Sequence, residues 1–355
     1  MKYHSAPLIP HKSALMSAPA NLLAEEVCLP AALLKKSALE NNISWMQRYA
    51  DARGVSLAPH GKTTMTPWIF QAQQRAGAWG IGVGSAWQAS AAMASGIQRV
   101  LMVNQLVGKA NMQVVAQLKA HYRAVDFICC VDSEANVRAL SAFFAAQGQT
   151  LDVLIELGVP GGRCGCRSVD DALALAQRVS DLPGLRLRGL ELYEGVLHGD
   201  DPQPQVEALL QQAAALACRM ESLVDGEFIL TGAGTVWYDV VCNIWLAAAK
   251  PRRCRIVIRP GCYITHDRGI YDLAQQELIA HYRDGLQLAL RAESIVSIGI
   301  MDQHCMLRLA PGSDVQVGDI LLFGTSHPCL TFDKWKTLLL VDDDYNVLDE
   351  LDTLF

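Results

Sequence analysis

The sequence predicts an α/β chain, a parallel (β/α)8 TIM barrel carrying a C-terminal all-β domain. Three observations predict it. Eight short apolar runs recur between Val55 and Ile258, and seven helix-period segments lie between them. Polar or glycine-rich residues collect just after each run, where a barrel builds its active site.

In chain order, a first strand is expected over Glu26 to Leu29, with Pro30 opening a helix. From Ala31 the residues Leu33, Leu34, Leu39, Ile43, Met46 and Tyr49 fall near one face, and Gly54 closes the helix. Strands follow at Val55 to Ala58, Trp79 to Val83, Val100 to Val103, Asp126 to Val131, Val153 to Leu157, Leu187 to Leu192, Phe228 to Leu230 and Arg255 to Ile258. Helices are expected at Pro67 to Ala76, Ala86 to Ser95, Met112 to His121, Glu134 to Ala146, Val169 to Val179, Gln205 to Leu223 and Tyr238 to Ala249. A doubly wound open sheet uses the same ingredients and is the alternative. After Asp267 the rhythm stops. Short alternating segments take over at Ser294 to Ile300, Cys305 to Leu309, Ile320 to Phe323, Thr337 to Val341 and Val347 to Leu351, with turn signals at Pro311-Gly312 and Gly318-Asp319. The expected boundaries are a barrel over 30–266 and a β domain from 1–29 with 267–355.

Charge and composition narrow the function. A formal net charge of -6 with no basic block excludes a phosphate-backbone partner, which needs clustered Lys and Arg. No apolar run approaches the roughly 20 residues of a membrane span, and the N-terminus lacks a signal-peptide core, so a cytoplasmic location is expected. The 11 cysteines are odd in number, and Cys129, Cys130, Cys218, Cys242 and Cys254 sit in apolar surroundings, which reads as reduced thiols. Cys164-Gly165-Cys166 is too tight for zinc-ribbon spacing.

The chemistry centres on Leu57-Ala58-Pro59-His60-Gly61-Lys62-Thr63-Thr64. A lysine just past the carboxyl end of a buried strand, in partly apolar surroundings, is a nucleophilic amine able to form a Schiff base. Leu230-Thr231-Gly232-Ala233-Gly234-Thr235 and Arg259-Pro260-Gly261-Cys262-Tyr263 are glycine-bearing turns after the last two barrel strands, where barrels cradle phosphate. Arg163, in the glycine-dense loop Gly158 to Gly165, offers a cation to an anionic oxygen or a ring heteroatom. Tyr193, after the sixth strand, offers a stacking face. His327 and Cys329 place an imidazole and a thiol two residues apart on one side of an extended segment, a pair that suits zinc. Asp302-Gln303-His304-Cys305 is a second polar cluster, from which His304 is a candidate third contact.

Pro59-His60-Gly61-Lys62-Thr63 resembles the Pro-His-x-Lys-Thr signature of the D-threonine aldolase and D-serine dehydratase family, fold-type III pyridoxal phosphate enzymes with the alanine racemase architecture. The Gly158 to Gly165 loop with Arg163, Tyr193, the two glycine turns and His327-Pro328-Cys329 match in the family's order. The resemblance implies that Lys62 holds pyridoxal 5'-phosphate. It further implies that Thr231, Gly232, Gly234, Thr235, Gly261, Cys262 and Tyr263 bind the phosphate, that Arg163 and Tyr193 line the ring, and that His327 and Cys329 hold zinc or another divalent metal. Cys329 is similar to the dehydratase pattern, aldolases carrying an aspartate there. Ala58 and Thr64-Met65 depart from common family residues beside the lysine.

The expected function is therefore metal-assisted dehydration of a D-3-hydroxy amino acid resembling D-serine, giving a keto acid and ammonia. Lys62 would act as base at Cα. His60, by removing the β-hydroxyl proton, would instead give retro-aldol cleavage, as in D-threonine aldolase. A non-catalytic pyridoxal phosphate binding protein and a sugar-phosphate enzyme are the other readings, and a homodimer is implied by family likeness.

Overall fold

The computed structural model describes residues 19–265, 278–289, 295–301, 304–324 and 327–355. The chain divides into two compact units, Ile43–Gly261 and Met1–Asn42 with Cys262–Phe355.

Strand β1 (Leu33–Lys35) runs directly into helix α1 (Lys36–Arg53). The parallel repeat follows as β2 (Ser56–Leu57), α2 (Pro67–Ala76), β3 (Ile81–Val83), α3 (Ala86–Ala94), β4 (Arg99–Gln105), α4 (Lys109–His121), β5 (Asp126–Val131) and α5 (Glu134–Ala146). It continues as β6 (Leu151–Leu157), α6 (Val169–Asp181), β7 (Leu185–Leu192), α7 (Gln203–Met220), β8 (Phe228–Gly232), α8 (Tyr238–Ala247) and β9 (Cys254–Ile258). Strands β2 to β9 form one eight-stranded sheet in the order β2-β9-β8-β7-β6-β5-β4-β3, and every pair in it is parallel. Its two ends meet through a parallel bridge between His60 and Gly82, so the sheet closes as a barrel and the open-sheet alternative is set aside.

Local sequence starts and stops these elements. Ser85, Ser133 and Ser168 stand in extended conformation just before α3, α5 and α6, and each hydroxyl accepts a backbone N–H from the first turn, at 3.3 Å from Gln88, 3.4 Å from Asn136 and 3.1 Å from Asp171. Pro67 opens α2, and Gly77 ends it with φ +115°, a left-handed conformation that glycine adopts without steric cost. Ala58, Leu101, Ile128, Cys130, Leu154, Ile229 and Val257 fill the barrel interior, each fully buried. Burying an aliphatic side chain of the larger kind is worth roughly 1.5–3 kcal/mol.

The other unit is built from short sheets. Strand β10 (Leu278–Arg283) pairs antiparallel with β11 (Leu286–Gln287) and β14 (Ile320–Phe323), while β12 (Ile295–Met301) pairs with β13 (His304–Leu309). A four-residue helix α9 (Cys329–Phe332) precedes β15 (Thr337–Val341) and β16 (Val347–Asp352). Strand β15 takes β1 as a parallel neighbour and β16 as an antiparallel one. Leu22, Val27, Tyr282, Leu339 and Val341 are core members here.

The structure corrects two expectations and adds one element. Glu26 to Leu29 is not a strand, and the strand expected in that region lies instead at Leu33–Lys35, inside the stretch assigned to helix. Pairing with β15, some three hundred residues away, overrides local helical periodicity there. The added element is the β10–β11 hairpin, whose turn is Asp284-Gly285, a hairpin turn signal. His327-Pro328-Cys329 is not extended, because Pro328 caps α9 and Cys329 begins it. Among the described residues no helix is long and apolar enough to cross a membrane, and no cysteine is in a disulfide.

Candidate functional site

Lys62 stands just past β2. The Gly82 N–H donates to the Pro59 carbonyl at 2.8 Å, and the His60 N–H donates to the Pro260 carbonyl at 3.3 Å. The chain then winds through a 3-10 turn over Gly61–Thr63, secured by the Thr64 and Met65 amides on the Gly61 carbonyl at 3.2 and 2.8 Å. A Cβ at Gly61 would lie 2.8 Å from Phe70 and 2.9 Å from Ile81. One at Gly261 would lie 2.6 Å from the Thr63 hydroxyl and 2.9 Å from the His60 carbonyl. Both glycines therefore allow backbone to press against the lysine turn, whose flanking residues are buried while the Lys62 side chain is exposed.

His60 Nδ1 accepts the Lys62 N–H at 3.4 Å. Burial, and then the positive charges of Lys62, Arg259 and Arg163, hold the imidazole well below its ordinary pKa. The ring is neutral, and with Nδ1 accepting, its proton sits on Nε2. The same charges show that the barrel brings Lys62, His60, Arg163 and Arg259 together.

Arg163 owes its position to glycine. The loop after β6 folds back, with the Gly158 N–H donating to the Cys166 carbonyl at 2.9 Å and the Cys166 N–H donating to the Glu156 carbonyl at 2.8 Å. A Cβ at Gly158 would fall 2.0 Å from the Cys164 carbonyl oxygen. Gly165, at φ +92°, would carry one 2.3 Å from the Gly158 nitrogen. The loop delivers the Arg163 guanidinium to 4.8 Å from the centroid of the Tyr193 ring. That ring lies against Gly234, where a Cβ would stand 3.1 Å from its edge.

The turn over Thr231 to Thr235 is held from within the protein. Glu194 is fully buried, and its carboxylate accepts the Ala233 N–H at 3.1 Å and the Gly234 N–H at 2.9 Å. The Thr231 hydroxyl donates to the Val257 carbonyl at 2.9 Å and accepts from Arg259 at 2.8 Å. Gly232 gives room to Trp245, which a Cβ would meet at 2.7 Å. Arg259 also binds the Glu191 carboxylate at 2.5 Å and the Leu192 carbonyl at 3.1 Å. Beneath these, Cys130, Glu156 and Glu191 converge with ligand atoms within 4.8 Å. Gln105 donates to Glu156, and burial raises the pKa of both carboxyls and of the Cys130 thiol. With Glu191 committed to Arg259, this layer is a buried polar network tying the strand ends together.

In the other unit Cys262, His327 and Cys329 converge, all half-buried, their ligand atoms within 4.8 Å of one another. The two sulfurs are 3.8 Å apart. Cys262, expected to serve the phosphate, thus brings its side chain to His327 and Cys329, whereas His304, the expected third contact, is not in this group and is exposed at the start of β13. Tyr263 follows Cys262 in a 3-10 turn, Cys262–Ile264. Ser326, Asp302 and Gln303 lie outside the described residues. Asn104 uses its amide on the Gly84 carbonyl at 3.2 Å. Glu191 and Arg259 are assigned no side-chain role by the sequence, Glu194 is legible there only as a polar residue at a strand end, and Cys262 is expected at the phosphate and not beside His327. A carboxylate between Tyr193 and Gly195 reads as an ordinary loop residue until the turn it binds is in place.

The family model described as "Alanine racemase, N-terminal domain" matches residues 34–235, and that described as "Putative serine dehydratase domain" matches residues 250–341. A D-threonine aldolase from Arthrobacter sp is 34% identical over 342 residues, covering 88% of this chain and 89% of the aldolase. A D-threo-3-hydroxyaspartate dehydratase from Delftia sp. is 33% identical over 247 residues, covering 62% of this chain and 64% of the dehydratase. The crystal structure of D-threonine aldolase from Filomicrobium marinum superposes with a TM-score of 0.77 at 22% identity, over 95% of this chain and 98% of that one.

Proposed function

The chain belongs to the D-threonine aldolase and D-serine dehydratase family of alanine racemase-like proteins, and from that premise we propose that it is a pyridoxal phosphate-dependent, metal-assisted dehydratase of D-3-hydroxy amino acids resembling D-serine. Relatives that are D-hydroxy amino acid lyases support the class. The observation that carries dehydration over aldol cleavage is the thiol of Cys329 beside the His327 imidazole. Aldolases of the family carry an aspartate at the position of Cys329, whereas a sulfur donor beside His327 suits zinc, a Lewis acid for a departing hydroxyl.

The residues present fit the cofactor. Lys62 is an exposed amine on a rigid turn, Arg163 and Arg259 add positive charge beside it, and Tyr193 presents a ring face, half-buried. Pyridoxal phosphate, when bound, supplies the electron sink for a carbanion at Cα. Lys62 is its anchor and, once displaced by substrate, takes the Cα proton at Nζ. Arg163 orients the ring and Tyr193 shields it from water. Because Glu194 occupies the Ala233 and Gly234 amides and the Thr231 hydroxyl is spent on Val257 and Arg259, these residues set the shape of the phosphate turn. The donor set of His327 with Cys329 fits a borderline-soft divalent ion such as zinc, which supplies a Lewis acid for the departing hydroxyl.

The test is product analysis with D-serine and D-threonine, with and without a chelator. Keto acid and ammonia, lost on chelation and restored by zinc, support the reading. Glycine and an aldehyde from D-threonine, with no keto acid from either substrate, would replace it with the aldolase activity that the Arthrobacter relative carries.

A further inference from the structure

We infer that Cys262 is a third protein ligand of the metal, completing a Cys2His set with Cys329 and His327 and leaving one coordination position open. This rests on the reading that a divalent metal is resident at His327 and Cys329. The geometry points to it through one distance. Two thiolates bound to one tetrahedral zinc at about 2.3 Å each, with an angle near 109°, stand roughly 3.8 Å apart. The Cys262 and Cys329 sulfurs are 3.8 Å apart, whereas a disulfide requires a bond of about 2.05 Å. The imidazole of His327 joins them, all three ligand atoms lying within 4.8 Å of one another.

Both segments are braced through their main-chain carbonyl groups. On one side the Thr265 N–H donates to the Cys262 carbonyl at 3.2 Å, and Asn42 donates to the Ile264 carbonyl at 3.1 Å, fixing the turn that carries Cys262. On the other the Thr331 hydroxyl donates to the His327 carbonyl at 3.1 Å, as does the Leu330 N–H at 3.2 Å. Donors held in advance lose little freedom on binding. Three protein ligands with one open position is the arrangement of catalytic zinc sites. A second thiolate also cancels the remaining positive charge of a divalent ion already bound to one thiolate and a neutral imidazole. The site then favours zinc, and other thiophilic ions, over magnesium or manganese, which prefer oxygen.

Cobalt(II) loaded into the full-length protein counts the thiolates, since each sulfur ligand adds near-ultraviolet charge-transfer absorption. Wild type, Cys262→Ser, Cys329→Ser and Cys262→His are compared, with circular dichroism to confirm folding and chelator competition to measure zinc affinity. Cys262→Ser and Cys329→Ser should each lose about half of the band per bound cobalt and weaken zinc by at least about tenfold. Cys262→His should keep most of the affinity with the band still halved. A Cys262→Ser protein that folds and keeps the wild-type band and affinity would overturn the assignment while leaving the two-residue metal site intact. Wild-type protein that binds neither cobalt nor zinc would overturn both.

Discussion

The Glu194 carboxylate holds the Gly234 amide at 2.9 Å, and the neighbouring Ala233 amide at 3.1 Å, from a position with no solvent exposure. An internal carboxylate thereby fixes a turn in which Ala233 adopts φ +69°, a left-handed conformation disfavoured for any residue with a Cβ. Glu194→Gln keeps one acceptor but turns an amide NH2 toward a backbone donor, leaving a buried N–H unpaired at a cost of roughly 1–3 kcal/mol. The expected outcome is pyridoxal phosphate binding weakened about tenfold, read by titrating the cofactor into apoprotein. Unchanged affinity would show that the turn keeps its shape without Glu194.

Lys62→Ala removes the amine and keeps the backbone contacts that shape its turn, which run through Gly61, Thr63, Thr64 and Met65. The variant should fold and melt as wild type does. It should lack the visible absorption band that borohydride discharges in the parent, with turnover down by about 10²–10⁴-fold. A persistent band would move the anchor to another residue.

The barrel was legible because most of its strands centre on a short apolar run and most of its helices repeat at the helical period, signals local to a few turns of chain. Strand β1 was not, since Leu33 and Leu34 continue a helical pattern and become a strand only through distant β15. The same division runs through the site. Lys62, His60, Arg163 and Tyr193 stand in motifs whose neighbours announce them. Glu194 acts on residues about forty positions away, and Cys262 reaches a thiol 67 positions on. Neither relation has a sequence spacing of its own, because the fold alone creates it.

Asp319 makes the acid stability of the smaller sheets testable. The Arg283 guanidinium, first, then the Gln316 N–H and His281, hold its carboxyl well below the usual range despite its burial. A carboxylate with a depressed folded-state pKa contributes stability that is fully present above its unfolded value, about 3.9, and is lost as pH falls through the folded value. Asp319→Asn should lower the melting temperature by several degrees at neutral pH. The gap between the two proteins should stay level down to about pH 5 and narrow below about pH 4. A gap that is constant into strong acid would assign the loss to packing and not to the charge.

Gly158 separates the shape of the Arg163 loop from its chemistry. With the Cys164 carbonyl 2.0 Å from where a Cβ would sit, and Gly165 backing onto the Gly158 nitrogen, the obstacle is main chain on both sides. No rotamer change relieves it. Gly158→Ala must therefore open the return of the loop onto β6, breaking the Gly158–Cys166 and Cys166–Glu156 hydrogen bonds and withdrawing Arg163 from Tyr193. Overpacking of this kind costs about 1–3 kcal/mol or more. Lys62 is untouched, so the variant should still react covalently with pyridoxal phosphate, but with weaker binding and a shifted absorption maximum, since Arg163 no longer faces the ring. Arg163→Ala should reproduce the spectral shift without the loss of stability. If Gly158→Ala lowers the melting temperature while its holoenzyme spectrum matches wild type, the loop matters for the fold alone and Arg163 does not reach the cofactor.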